Sequence, residues 1–242
     1  MEQLNNITST LALTMGAAWA SGINLYAAIL TLGLMGATGN ITLPPGLEIL
    51  TDPTVLMAAG IMYFLEFFAD KIPGVDTAWD GLHTFIRIPA GAMLAAAAVG
   101  DVNPVIELSA ALMGGGLAAT THATKAGTRA LINTSPEPFS NWTASVTEDI
   151  AVIVGLWTAL NHPTLYLVLL GLFILLLIFL LPRLWRGIKL VAGKIRSFFG
   201  GASAPELAEQ DAVAPSNSEF GGSESVIEMA PPDPGKGPPP SV

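Results

Sequence analysis

The placement of cationic side chains limits what this chain can fold into more than any motif does. Between Leu11 and Leu181 lie six apolar stretches, and the connections 37–53, 101–103 and 161–163 contain no Lys or Arg. The basic residues Lys71, Arg87, Lys125, Arg129, Arg183, Arg186, Lys189, Lys194, Arg196 and Lys236 all fall toward the opposite ends of those stretches or beyond them. Lys and Arg are retained in the cytoplasm as membrane helices insert. The bias therefore predicts a polytopic membrane protein with both ends inside.

Composition agrees. Apolar residues make up 51% of the 242 positions and charged residues 12%, about half the share usual in soluble domains. The net charge of −9 belongs mostly to the tail, where residues 201–242 hold seven acidic side chains and one basic. The acidity therefore says little about what the rest of the chain binds. With no cysteine, disulfides, thiolate metal sites and a cysteine nucleophile are excluded. Ala18-Trp19-Ala20 has the small-x-small form of a signal-peptide cleavage site. The preceding ten residues carry no positive charge, however, and the apolar run continues to about Met35, so a cleaved leader is not expected. The sequons at Asn6, Asn40, Asn133 and Asn141 are short enough to arise by chance.

The expected architecture is an all-α membrane bundle over residues 1–182, with spans near 11–36, 54–72, 79–100, 104–126, 146–161 and 164–182. A hydrocarbon core about 30 Å thick needs about 20 helical residues. The fifth stretch is the doubtful one, because Ile150 to Leu160 covers only about 16 Å at 1.5 Å per residue. A re-entrant fifth segment would put 183–196 outside, against the charge rule, so a span is preferred. Loop 127–145 contains Ser135-Pro136-Glu137-Pro138, which interrupts helix because proline lacks an amide donor. Over 183–199 apolar residues recur at helical spacing among Arg and Lys, predicting a basic amphipathic helix along the inner leaflet. Residues 200–242 are acidic and rich in Gly, Ser and Pro, and are expected to be a disordered cytoplasmic tail.

A faint internal repeat runs through the bundle. Met15-Gly16-Ala17-Ala18-Trp19-Ala20 resembles Met113-Gly114-Gly115-Gly116-Leu117-Ala118, and Ala69–Pro73 falls opposite Ala159–Pro163. Two units of three spans each would have opposite orientation, a 3+3 inverted repeat of the kind that transporters and channels use.

Ionisable residues gather at the basic ends of the stretches. Asp76, Asp80, His83 and Arg87 are spaced by four, three and four, which puts them on one helical stripe. His122, Lys125 and Arg129 form a second stripe, Glu66 and Asp70 a third, and Glu148 and Asp149 open the fifth stretch. Charges within a span cost about 2.5–3.5 kcal/mol each on insertion scales, so they face the bundle interior and pair. Two readings of Asp70, Lys71, Asp76, Lys125, Arg129, Glu148 and Asp149 are open: a polar vestibule or gate, or helix ends at the interface whose long side chains snorkel to headgroups. Glu66, His83 and Arg87 lie a turn or more inside and favour the functional reading.

Asn24, near the middle of the first stretch and opposite His122 in the repeat, either lines a pathway or hydrogen-bonds across helices. The Gly114–Gly116 run and Ala95–Ala98 suit close helix packing, although successive glycines can also unwind a helix and expose carbonyls. The pairs Glu66/Asp70 and Asp76/Asp80 resemble the carboxylates that hold Mg²⁺ on a diphosphate in membrane phosphotransferases, but without the full signatures of those enzymes. Phosphate-loop, nucleophile-elbow and zinc-helix motifs are all missing from the sequence.

The block Glu66-Phe67-Phe68-Ala69-Asp70-Lys71-Ile72-Pro73, with Asp76, Trp79-Asp80 and His83 after it, resembles an uncharacterised bacterial integral-membrane family, domain of unknown function 4126. So does the stretch from His122-Ala123-Thr124-Lys125-Ala126 through Arg129, Asn133, Ser135–Pro138 and Ser140-Asn141 to Glu148-Asp149. The resemblance covers about residues 8–182 and implies a prokaryotic inner-membrane protein, without implying an activity. The expectation is a small-solute or ion transporter or channel with a charged gate. A metal-dependent lipid-phosphate transferase and a non-catalytic scaffold are the alternatives. Expected partners are membrane lipids, an unidentified small solute or ion and a possible second copy of the chain, with no nucleic acid and no cofactor.

Overall fold

Each of four helices opens on a proline, whose fixed φ and missing amide suit the first helical position. In the computed structural model, which describes residues 2–72, 74–134 and 138–199, these are α2 (Pro53–Ala69), α4 (Pro104–Ile132), α5 (Pro138–Asn161) and α6 (Pro163–Phe199). The remaining helices are α1 (Glu2–Ala37) and α3 (Val75–Ala98), with a 3-10 turn at Pro45–Thr51. Asp52 and Asn103 cap α2 and α4 by accepting from the amides of Thr54 and Val105. The Thr54 amide holds the exposed Asp52 carboxyl below its ordinary range. Gly74 and Gly100 take positive φ at the two ends of α3, where a side chain would be strained. Among the described residues there is no strand.

α1 does not continue in one direction. Asn24 has φ −146° and ψ 99°, outside the helical region, and the chain turns back there. Before Asn24, Ala18 and Ser21 lie against Gly91, and Ser21 Oγ donates to the Arg87 carbonyl at 2.9 Å, so this arm descends as α3 rises. After it, Tyr26 meets His83, Gly33 and Gly36 close on Leu50 and Thr51 of the 3-10 turn, and Gly46 of that turn sits against Ala97. The second arm therefore runs parallel to α3, back toward the end from which α1 came. α5 shows the same reversal. Gly16 touches Ala159 and Trp19 touches Gly155, while Leu34 and Met35 share a cleft with Ile153 and Trp157. A straight helix would carry Met35 about 24 Å past Trp19 and out of reach of that stretch.

This corrects the expected span at 11–36, which is two arms of about 13 residues and about 20 Å each. It also changes the reading of the repeat. Ala18 neighbours Gly114, Gly22 closes on Ala118 and Thr121, and Lys125 reaches Ile23. Met15–Ala20 and Met113–Ala118 therefore lie side by side and parallel, whereas inverted copies would oppose one another. The other matched pair, at the ends of α2 and α5, does belong to helices of opposite direction.

Other boundaries also moved. α5 begins at Pro138 and α4 continues to Ile132, so most of the expected loop 127–145 is helix. With 24 residues α5 is about 36 Å long, which removes the doubt over its length. Segment 183–199 continues α6 with Pro182 inside the helix, instead of forming a separate one. Residues 135–137 and the tail 200–242 lie outside the described residues.

The first arm of α1 is the hub, buried almost throughout from Ala12 to Ile23. Small residues let α1, α3 and α4 approach closely: a Cβ at Gly22 would run into Thr121 and Ala118, one at Gly91 into Ala118, and one at Gly114 into Ala95. Gly114 and Gly115 are therefore packing surface, within an unbroken helix, while Gly116 faces outward. The outside is apolar instead, with Phe64, Leu82, Phe85, Met93, Leu112 and Leu175 all exposed. Among the described residues, three helices are long and apolar enough to cross a membrane, and a fourth results if the 3-10 turn and α2, bent by 67°, count together. Among these is α1, by length and composition alone.

Candidate functional site

Helical period turns the charged stripes of α3 and α4 inward. Asp76, Asp80, His83 and Arg87 of α3, and His122, Lys125 and Arg129 of α4, are all buried. So are Glu66 and Asp70 at the end of α2 and Asp149 on α5, while the Glu148 side chain keeps 18% of its surface open. Ends of alternate direction meet here, α2 and α4 by their C-terminal parts and α3 and α5 by their N-terminal parts, around the turn of α1.

Lys125 holds the centre. Its Nζ donates to Glu66 Oε1 at 3.3 Å, to Asp70 Oδ2 at 3.2 Å and to the carbonyl of Ile23 at 3.1 Å. It also lies 3.3 Å from Glu148 and 3.7 Å from Asp80. Arg87, completely buried, donates to Asp80 Oδ1 at 2.9 Å and to Glu66 Oε1 at 2.5 Å. Arg129 grips Glu148 with two parallel bonds, Nε to Oε1 at 3.2 Å and Nη2 to Oε2 at 2.8 Å. This side-on geometry is the stronger form of an Arg–carboxylate pair. Arg129 also donates to the carbonyls of Asp70 and Asn141, tying three helices together.

The break in α1 joins this network from both sides. Asn24 Oδ1 accepts from the Ala27 amide at 3.0 Å and so caps the returning arm. Its Nδ2 donates to Asp149 Oδ1 at 2.9 Å, and Tyr63 donates to Asp149 Oδ2 at 3.0 Å. A helix carries partial negative charge at its C-terminal end and partial positive charge at its N-terminal end. The arm ending at Ile23 meets the Lys125 ammonium, and the arm beginning after Asn24 has the Asp149 carboxylate beside it. Each half-helix therefore faces its complement. Tyr63 also floors an apolar cleft of about 370 Å³ between the second arm, α2 and α5.

His122 is held as a defined tautomer. A guanidinium only donates, so His122 Nδ1, 3.2 Å from Arg87 Nη1, accepts, and His122 Nε2 donates to Thr84 Oγ1 at 2.7 Å. His83 Nδ1 donates to the Trp79 carbonyl at 2.9 Å, and its Nε2 shares a hydrogen bond of 3.0 Å with the Tyr26 hydroxyl.

Asp76 is set apart from the network. Its carboxylate accepts from the amides of Gly74 and Thr77 and from Asn133 Nδ2 at 2.8 Å, and Asn133 Oδ1 accepts from Asn141 at 2.7 Å. It is a clasp between the start of α3 and the ends of α4 and α5. Lys71 also stands aside, donating to the Phe67 carbonyl and resting on the Phe67 ring. Sequence reasoning did not single out Tyr63, Thr84 or the Ile23 carbonyl; it named Tyr26 only as a neighbour of Asn24, and Asn133 and Asn141 only as chance sequons and as part of the family-like block. No periodic signal marks any of these six positions.

The segments that hold the ion pairs of this network, Glu66 to Arg87 and His122 to Asp149, both lie inside residues 11–183, which match the family described as Domain of unknown function (DUF4126). The chain belongs to that family. Comparison with curated proteins and with solved structures finds no match. The DUF4126 match ends at residue 183, so most of the basic continuation of α6 and the acidic tail lie beyond it.

Proposed function

We propose that this DUF4126 protein is a membrane transporter or channel for a small solute or ion, with the ion-pair network as its gate. One observation carries the reading: a helix broken inside the bundle, its freed carbonyl and capping side chain bound to ionised residues of other helices. Broken helices of this kind form ion and substrate sites in transporters, because unwound backbone is tolerated at membrane depth only where protein or a water-filled cavity surrounds it.

The membrane arrangement proposed is five crossing helices, α2 to α6, with Leu11–Ala37 as a re-entrant hairpin. Five crossings leave the two ends of the described chain on opposite faces. The end that carries Lys71, Lys125, Arg129 and Arg183 is cytoplasmic by the charge rule. Glu2 then lies outside, which replaces the expectation of both ends inside. A solute would pass from the cleft at Tyr63, past Asp149 and Asn24, to the partly open Glu148.

The lipid-phosphate transferase draws less support. Asp76 and Asp80 face different partners, and among the described residues no three metal-ligating side chains converge. The scaffold reading uses the same ion pairs as a lock. Reconstituted protein separates the three. The proposal expects flux of an ion or small solute that falls at least tenfold in Asn24→Ala with the fold intact. Turnover of a lipid phosphate, or no flux of any small ion or solute, would contradict it.

A further inference from the structure

The network carries one more negative charge than positive. Glu66, Asp70, Asp80 and Glu148 stand against Arg87, Lys125 and Arg129, every one of them in an ion pair of 4 Å or less. The groups that face this set from each helix do not supply the missing charge. On α1 there is the Tyr26 phenol, bound to His83. On α2 the Lys71 ammonium is turned onto Phe67. On α4, His122 accepts from Arg87 on one ring nitrogen and is neutral, and on α3, His83 is held between Tyr26 and the Trp79 carbonyl and takes no part in these ion pairs. On α5 the Asp149 carboxylate adds further negative charge, hydrogen-bonded to Asn24 and Tyr63 and attracted at longer range by Lys71 and Lys125.

A second observation locates the missing charge. Glu66 Oε2, Asp70 Oδ1 and Asp80 Oδ2 are buried and have no hydrogen-bond partner. Each belongs to a carboxylate whose other oxygen is held by Arg87, Lys125 or Arg129. Glu66 is the least exposed of the three. Buried carboxylate oxygens without partners are costly, and burial favours the neutral acid over the ion.

We propose that the network binds one exchangeable proton at neutral pH, on Glu66 Oε2 and shared with Asp70 and Asp80. Binding forms an O–H bond on the carboxylate and breaks one in hydronium, leaving water, so the network becomes neutral. A proton fits better than a metal cation because no three ligating side chains converge among the described residues. The inference rests on the transport reading only for its purpose, since a proton held beside the broken helix is the species such a gate would couple to its solute.

The test uses the full chain in phosphatidylethanolamine–phosphatidylglycerol vesicles, with no solute added. Infrared spectra in H₂O and D₂O at pH 7 should show a protonated carboxylic C=O band that shifts on deuteration, is lost in Glu66→Gln and is indifferent to sodium. If Glu66→Gln does not fold, the same band should weaken or shift in Asp80→Asn and Asp70→Asn. Wild-type protein unfolded at pH 7 should release about one proton per chain to an indicator dye. The proposal is overturned if no protonated carboxyl is present, if all three variants leave the band unchanged, or if the band appears only when sodium is withdrawn. A band that behaves as expected in a protein that moves nothing would sink the transport reading and leave the proton site standing.

Discussion

Lys125 Nζ donates to the carbonyl of Ile23 at 3.1 Å, closing the C-terminal end of one half-helix with a charge from another helix. A carbonyl freed by a break in a helix must find a donor when water is excluded. The same ammonium binds Glu66 and Asp70. The turn of α1 and the ion-pair network are thus one construction, and disturbing either should disturb both.

Replacing Lys125 by Met removes the donor to Ile23 and leaves four carboxylates, Glu66, Asp70, Asp80 and Glu148, short of a partner. Breaking a buried pair by removing one member costs about 3–5 kcal/mol. Denaturant unfolding in detergent should show a loss of that size.

Arg87→Gln and Glu66→Gln should differ, although the two residues are partners. Arg87→Gln raises the excess negative charge to two and should cost about 3–5 kcal/mol. Glu66→Gln removes the excess and loses only the charge assistance of two hydrogen bonds, at most about 2 kcal/mol. Equal losses in thermal or denaturant unfolding would contradict the charge count.

Close packing at Gly22 is directly testable against Gly116. A methyl group at Gly22 would overlap Thr121 and Ala118, whereas at Gly116 it would meet open space. Gly22→Ala should destabilise by about 1–3 kcal/mol through overpacking. Gly116→Ala should be neutral or slightly stabilising, since alanine is the better helix former. Denaturant midpoints of the two variants give the comparison.

Asn24→Ala should cost about 1 kcal/mol for the lost helix cap, and it leaves Asp149 with Tyr63 as its remaining side-chain partner. Its larger effect should be on transport, because the turn loses its link to α5. An unfolding midpoint that moves little, with flux falling at least tenfold, is the expected pattern.

The inward stripes were legible because a helical period of 3.6 fixes which residues share a face, and a charge in lipid has few places to go. The reversal at Asn24 was not legible. Residues 11–36 read as one apolar run, and a single residue leaving the helical region changes neither hydropathy nor period. Asn24 beside Ser21 and Gly22 was the only hint. The early start of α5 was hidden for a related reason: Asn141 and Ser145 are polar but face inward, so hydropathy assigned them to a loop. The clasp of Asp76, Asn133 and Asn141 joins residues more than fifty positions apart, which spacing alone does not connect.

The hairpin of α1 is the feature on which the site and the membrane arrangement both depend. With no native cysteine to remove, single cysteines at Asn6, Asn40 and Arg186 can be labelled in sealed vesicles by an impermeant maleimide. The account predicts that Asn6→Cys and Asn40→Cys react from one side and Arg186→Cys from the other. Asn6→Cys and Asn40→Cys labelled from opposite sides would make α1 a simple crossing and contradict it.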